Sequence, residues 1–250
     1  MDRIEPLGGS AESCIPAKRV RQLLYSLGFT SAVCVGMVLV RFAFVGTLRF
    51  RFCGLLINLF LAWIPLVLAL LVQGVFVRAG RVLFWGAFVG WVVFFPNAFY
   101  ITTDLVHTHK FGTDGVYPWY DILMTACFAC GGLFLGSVSL YLMHMLVQLR
   151  FGWRAGWLFA ATMLALGSFG IYLGRFLRLN SWDVVTRPFK LAGDVAALAE
   201  PRSVADVAAF SATFFFFSLV VYSFVVSLAR LHESPQSRNR DGSSPSSNIP

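Results

Sequence analysis

The residues best suited to chemistry lie in one polar stretch, Phe94 to Asp121, between two long apolar segments. It reads FFPNAFYITTDLVHTHKFGTDGVYPWYD, in a chain of which only 13% of residues are charged. Asp104 and His107 are three residues apart and share a face if Ile101 to His109 is helical. A carboxylate and an imidazole in this arrangement are candidates for a catalytic acid and base.

A second set of polar residues lies at the ends of other apolar segments. Arg175 and Arg178 share a helix face, and the partners available to them are Asp104, Asp121 and Asp183. Such arginines can bind an anion, although arginines near a helix end can also simply extend to lipid headgroups. The candidate binding residues are Asn58, Asn97, Asp121, Arg175, Arg178 and Asp183.

Metal binding is the less favoured hypothesis for the polar stretch. Candidate ligands are Asp104, His107, His109, Asp114 and Asp121, but they follow no recognised ligand spacing. The five cysteines are interpreted as small apolar residues, although Cys127 and Cys130 form a CxxC. We therefore predict no metal site and no cofactor. A structural network that holds a bent helix end is the alternative.

Composition indicates the class of protein in which these residues are placed. The chain has 250 residues, is 58% hydrophobic and has a mean hydropathy of +0.73, which is typical of an integral membrane protein. We predict an all-α fold, a bundle of six transmembrane helices within residues 22–229. A polar basic segment, residues 1–21, precedes it, and a disordered tail, residues 230–250, follows. The predicted spans are roughly 22–40, 53–72, 82–100, 122–149, 157–179 and 207–229.

The distribution of Lys and Arg indicates the orientation of the bundle. With the N-terminus in the cytoplasm, that side receives eleven of the 20 basic residues and the other side nine. A basic cluster precedes the first helix, and such clusters usually dominate. We therefore predict that both termini are cytoplasmic. The basic residues lie beside apolar runs and form no stripe, so membrane lipids and not nucleic acid are the predicted partners.

The alternation of spans brings the polar residues to one side of the membrane. Asn58 is predicted to lie only ~8 Å below that boundary, at ~1.5 Å of rise per residue. Pro96 and Asn97 are predicted to break the third helix before its end, and Thr102 or Thr103 to cap the next turn. The loop 180–206 contains a predicted short amphipathic helix that covers the site. His144 lies toward the opposite side and is interpreted as an interfacial histidine.

Small residues at four-residue spacing indicate where helices approach closely. The pairs are Gly86 with Gly90, Gly132 with Gly136, and Gly170 with Gly174. They lie on the third, fourth and fifth helices, and such spacing favours close packing in membranes. These three helices flank the polar stretch.

Four ordered motifs carry a resemblance to a known family. They are NLFLAWIPL at residues 58–66, FFPNAFYITTDLVH at 94–107, WYD at 119–121 and FGIYLGRFLRLNSWD at 169–183. Together they resemble the bacterial membrane-protein family catalogued as domain of unknown function 1361. The resemblance covers most of the membrane domain, and it implies a multi-pass protein of the bacterial inner membrane. It implies no particular activity.

These patterns leave three hypotheses for function. The first is a pocket at the non-cytoplasmic leaflet that binds a polar or anionic headgroup of a lipid or sugar, with or without acid–base chemistry. The second is a facilitative transporter, because the middles of the spans contain almost no ionisable residues for ion coupling. The third is a structural or assembly protein whose polar cluster only stabilises the bundle. Whether the protein is an enzyme is left open.

Overall fold

The protein is a bundle of helices that crosses the membrane six times. The computed structural model describes residues 17–46, 50–78, 81–110, 116–179, 181, 186–198 and 201–231. Six of its helices are long and apolar enough to span a bilayer, which confirms the predicted all-α, six-span fold. The helices are α1 (Ala17–Val45), α2 (Phe50–Arg78), α3 (Arg81–Tyr100), α4 (Pro118–Phe151), α5 (Trp153–Phe176), α6 (Pro188–Ala197) and α7 (Pro201–Leu231).

The ends of the helices differ from the predicted spans. The first helix begins at Ala17, inside the predicted polar basic segment 1–21, and continues to Val45. Arg41 therefore lies within α1 and not in the connection that follows it. The predicted disordered tail falls outside the described residues, except that α7 continues to Leu231.

Helix α4 is the centre of the bundle, and it packs against α1, α2, α3, α5 and α7. Helix α3 lies between α2 and α5, with α4 behind it. Glycines on two neighbours allow α3 to approach. A Cβ at Gly132 would meet the Ala98 carbonyl, and one at Gly170 would lie 2.8 Å from the Pro96 ring. These two glycine pairs therefore serve close packing on α3, as the four-residue spacing predicts.

The third glycine pair behaves differently. A Cβ at Gly86 would meet nothing within 4 Å, and one at Gly90 would touch only the side chain of Leu68 on α2. Gly86 therefore lies on the face of α3 that points away from the bundle.

The predicted break of the third helix at Pro96 is wrong. Helix α3 continues through Pro96 to Tyr100, where it changes into a 3₁₀ helix that runs from Ile101 to Lys110. A proline inside a helix removes one hydrogen bond and pushes carbonyls of the preceding turn outward. The Val93 carbonyl in that turn accepts a hydrogen bond of 3.1 Å from Ser181 Oγ. External polar groups and packing against α5 thus keep the helix continuous.

The 3₁₀ helix is stabilised by threonines that do not act as N-caps. Thr102 Oγ1 donates to the Phe99 carbonyl, and Thr103 Oγ1 donates to the Tyr100 carbonyl, both at 2.7 Å. These bonds satisfy carbonyls of the last α-helical turn. An N-cap side chain would accept a hydrogen bond from an N–H group that follows it. These hydroxyls instead donate to carbonyls that precede them, so the predicted capping role is not observed. Because residues three apart eclipse in a 3₁₀ helix, the backbone of Asp104 and His107 lies on one face.

Candidate functional site

One carboxylate joins three separate segments of the chain. Asp104, on the 3₁₀ helix, accepts a hydrogen bond of 3.0 Å from Asn58 Nδ2 on α2. Its other oxygen lies 3.2 Å from Arg175 Nη1 at the end of α5. Both charged side chains are about 15% exposed, so the pair is shielded from most solvent. Arg175 and Asp104 thus form an ion pair that joins α5 to the 3₁₀ helix, and Asn58 joins this pair to α2.

A cavity of about 310 Å³ lies directly beside this network, between α2, α3 and α5. Among the described residues that line it, Arg178 carries the only charge, and none is a carboxylate. The polar lining residues are Asn58, Asn97, Tyr100, Arg178 and Ser181. The remaining lining residues are apolar, except for the glycines that bring α5 close to α3. A volume of this size suits a small headgroup.

Arg178 adopts a backbone conformation that favours glycine. Its φ is 56°, and it is the one residue other than glycine with a positive φ in the part of the chain that the structure describes. It follows the last turn of α5, and the Leu179 N–H turns back to the Leu173 carbonyl at 3.3 Å. Glycine is the usual residue at such a helix end, since a side chain there costs about 1 kcal/mol or more. The site therefore retains an arginine against the local backbone preference.

The wall of the cavity formed by α3 is fixed by a short relay of hydrogen bonds. Asn97 Nδ2 donates to Ser181 Oγ at 2.9 Å, and Ser181 in turn donates to the Val93 carbonyl. Ser181 thus ties the segment after α5 to the α3 turn that contains Pro96. Leu191 on α6 also lines the cavity, so the predicted amphipathic helix exists and lies against it.

Asp121 lies in a different pair. Its Oδ1 is 2.7 Å from Arg41 Nε, and both side chains are 1% exposed. The Arg41 guanidinium carbon also lies 4.0 Å from the centre of the Phe52 ring. Tyr120 contributes to the same contact, because its hydroxyl donates to the Met37 carbonyl on α1. Asp121 therefore joins α1 to α4 and is not among the residues that line the cavity.

The structure thus brings together five of the eight predicted site residues. Asn58, Asn97, Asp104, Arg175 and Arg178 surround the cavity or its supporting network. The side chain of His107 and all of Asp183 fall outside the described residues, so the acid–base role of Asp104 and His107 stays a prediction. Sequence reasoning did not single out Tyr100 and Ser181 as site residues.

A second buried polar contact lies away from the cavity. His144 is buried inside the bundle, and its Nδ1 lies 2.7 Å from the hydroxyl of Tyr222 on α7. The Trp157 ring packs edge-on against His144 at 5.1 Å between ring centres. This contact joins α4, α5 and α7. Because α7 covers this part of α4, the His144 side chain contacts protein and is not exposed on the bundle surface, while its depth in the membrane stays a prediction.

Comparison with known families agrees with the motifs around this cavity. Residues 57–228 match the model of a family described as a protein of unknown function (DUF1361). The chain belongs to this family. The matched DUF1361 region contains every described residue that lines the cavity, whereas Arg41 precedes it. Searches of curated proteins and of solved structures found no match to the chain.

Proposed function

We propose that this DUF1361 protein binds an anionic headgroup, carried by a lipid or a sugar, in the cavity between α2, α3 and α5. The observation that carries the proposal is Arg178, whose side chain is exposed and lines a cavity that has no carboxylate among its described residues. A guanidinium presents several donors to phosphate or carboxylate oxygens. The left-handed backbone of Arg178 also supports the proposal, because a functional role for the arginine side chain explains why glycine does not occupy this position.

The neighbouring residues have separate roles in this proposal. Asn58 and Asn97 offer side-chain amide groups at the cavity wall, and Tyr100 offers a hydroxyl. Arg175 and Asp104 hold α5 and the 3₁₀ helix in place through their ion pair. Arg178 is therefore the anchor for the anion, and Arg175 is a positioning residue.

The location that we propose is the non-cytoplasmic leaflet of a bacterial inner membrane, with both termini in the cytoplasm. The basic residues support this orientation by eleven to nine, and the cluster before the first apolar run, which is part of the eleven, usually dominates. Membrane lipids are then the proposed source of the headgroup. A structural role is supported for Asp121, whose partner Arg41 lies apart from the cavity.

The test uses glycerol 3-phosphate as the probe and the thermal unfolding of the purified protein in detergent as the measurement. A ligand that binds the folded state stabilises it, by about 1.4 kcal/mol at a tenfold excess over Kd. We expect wild type to be stabilised in this way. Arg178→Gly should lose the response, while its own stability without ligand should be equal or higher because glycine relieves the left-handed backbone.

Arg187→Gly is the matched control. Arg187 is exposed, precedes α6 and does not line the cavity, so this variant removes the same charge near another helix end. It should respond to glycerol 3-phosphate like wild type. If Arg178→Gly responds as strongly as Arg187→Gly, the cavity is not the anion site.

A further inference from the structure

We infer that the ligand is a lipid whose acyl chain lies along one face of α3, with its anionic headgroup at Arg178. This inference rests on the proposed function and specifies the kind of molecule that carries the anion. It comes from a continuous stripe of residues on α3, which are apolar and exposed at one end and line the cavity at the other. The members of the stripe are Val82, Trp85, Val89, Val93, Pro96 and Tyr100.

The spacing of the stripe places all its members on one side of the helix. The intervals are three or four residues, so each member lies within one helical face. Val82, Trp85 and Val89 are 88%, 58% and 56% exposed, which in a membrane helix means contact with lipid. The members after Val89 line the cavity. The lipid-facing surface of α3 therefore leads directly into the cavity.

Helices α2 and α5 flank this stripe. Leu68 of α2 lies against Gly90, on one flank. On the other flank, the rings of Phe88 and Phe159 lie 6.4 Å apart and join α3 to α5. Leu166 of α5 is 51% exposed and precedes the cavity residue Gly170 by one turn. The stripe thus lies between α2 and α5, and below the cavity it is an exposed apolar surface.

The length of the stripe fits an acyl chain. Val89 precedes Tyr100 by eleven residues, or about 16 Å along the helix axis. One leaflet accounts for about half of the ~30 Å hydrocarbon core, so a chain that starts beside Tyr100 reaches Val89 near the midplane. Val82 lies about 27 Å from Tyr100, in the opposite leaflet. Val89 is therefore within reach of the chain, and Val82 is beyond it.

Charge and polarity along the stripe and the cavity select the class of lipid. The exposed end of the stripe consists of apolar side chains, whereas the cavity presents Arg178, Asn97 and Ser181. An amphiphile with one anionic headgroup matches both surfaces, because its acyl chain fits the apolar stripe and its headgroup fits the cavity. A free sugar phosphate matches only the cavity.

Native mass spectrometry of the full-length protein in detergent tests the inference. The probes are dipalmitoyl phosphatidate, glycerol 3-phosphate, which has the headgroup without the chains, and dipalmitoyl glycerol, which has the chains without the charge. Wild type should retain phosphatidate in preference to dipalmitoyl glycerol. Val89→Trp should weaken retention of phosphatidate by about fivefold or more, since the added ring occupies the path of the chain, and should leave glycerol 3-phosphate binding unchanged.

Val82→Trp is the matched control, because it places the same ring on the same stripe beyond the reach of the chain. It should retain phosphatidate like wild type. Equal retention of phosphatidate by Val89→Trp and Val82→Trp overturns the acyl-chain path while the anion site stands. Undiminished binding of both phosphate probes by Arg178→Gly overturns the anion site itself.

Discussion

The buried pair of Arg41 and Asp121 allows the sharpest prediction about stability. The two charged atoms are 2.7 Å apart, and each side chain is 1% exposed. At an effective dielectric constant near 20, the attraction at this distance is roughly 6 kcal/mol. Removing one partner leaves the other charge buried without it. We therefore expect Arg41→Met or Asp121→Leu alone to lower the free energy of unfolding by about 3–5 kcal/mol.

The double variant separates the ion pair from simple packing. Arg41→Met with Asp121→Leu removes both charges together, so the desolvation cost disappears with the attraction. We expect its stability to lie within about 1 kcal/mol of wild type, or above it. Arg150→Met is the control, because Arg150 is exposed at the other end of α4 and should change stability by less than about 0.5 kcal/mol.

Unfolding of the detergent-solubilised protein by SDS, followed by near-ultraviolet circular dichroism, measures these differences. The double variant should also bind glycerol 3-phosphate like wild type, since Asp121 does not line the cavity. A double variant destabilised by the sum of the two single changes would refute the pairing. Loss of glycerol 3-phosphate binding in a stable double variant would show that Asp121 belongs to the site.

Two further predictions concern packing and a buried hydrogen bond. Gly132→Ala should destabilise the bundle by about 1–3 kcal/mol in the same unfolding assay, because the added Cβ would meet a backbone carbonyl of α3. Gly131→Ala is the control. Its added Cβ would lie 3.7 Å from the nearest neighbour, so this variant should be neutral or slightly stabilising. Tyr222→Phe should cost about 1–3 kcal/mol because it removes the partner of buried His144, whereas Tyr25→Phe at a 70% exposed position should change little. Equal effects within either pair would contradict the packing that the structure assigns to that position.

The spans and the side on which the polar residues gather could be predicted from the sequence, because both depend on local hydrophobicity and on alternation. The helix ends and the partner of Asp121 could not. Arg41 is followed by the apolar run FAFVG, so α1 can continue past it once a buried carboxylate accepts its charge. That carboxylate is 80 residues away on α4, and no local pattern identifies it. The signal available was an arginine inside an apolar run, which indicates a membrane-embedded charge.

Pro96 illustrates the same limit for the backbone. The rule that proline ends a helix is local, and here packing and hydrogen bonds from other segments override it. Gly170 gives the proline ring space on α5, and Ser181 bonds the Val93 carbonyl in the preceding turn. Both partners follow Pro96 by more than 70 residues. A sequence can therefore indicate that a helix end with a proline needs packing and hydrogen bonds from other segments. It cannot indicate that the fold supplies them.

The pairing of charges explains why one predicted arginine emerges as the candidate anchor. The sequence predicts two candidate arginines, Arg175 and Arg178, but it does not indicate which of the three carboxylates pairs with which arginine. In the structure Asp104 pairs with Arg175, and Asp121 pairs with Arg41. Two of the three predicted carboxylates are thus engaged elsewhere, and the cavity beside Arg178 has an excess of positive charge among its described residues. An anion that enters this cavity meets a guanidinium that these two carboxylates do not neutralise.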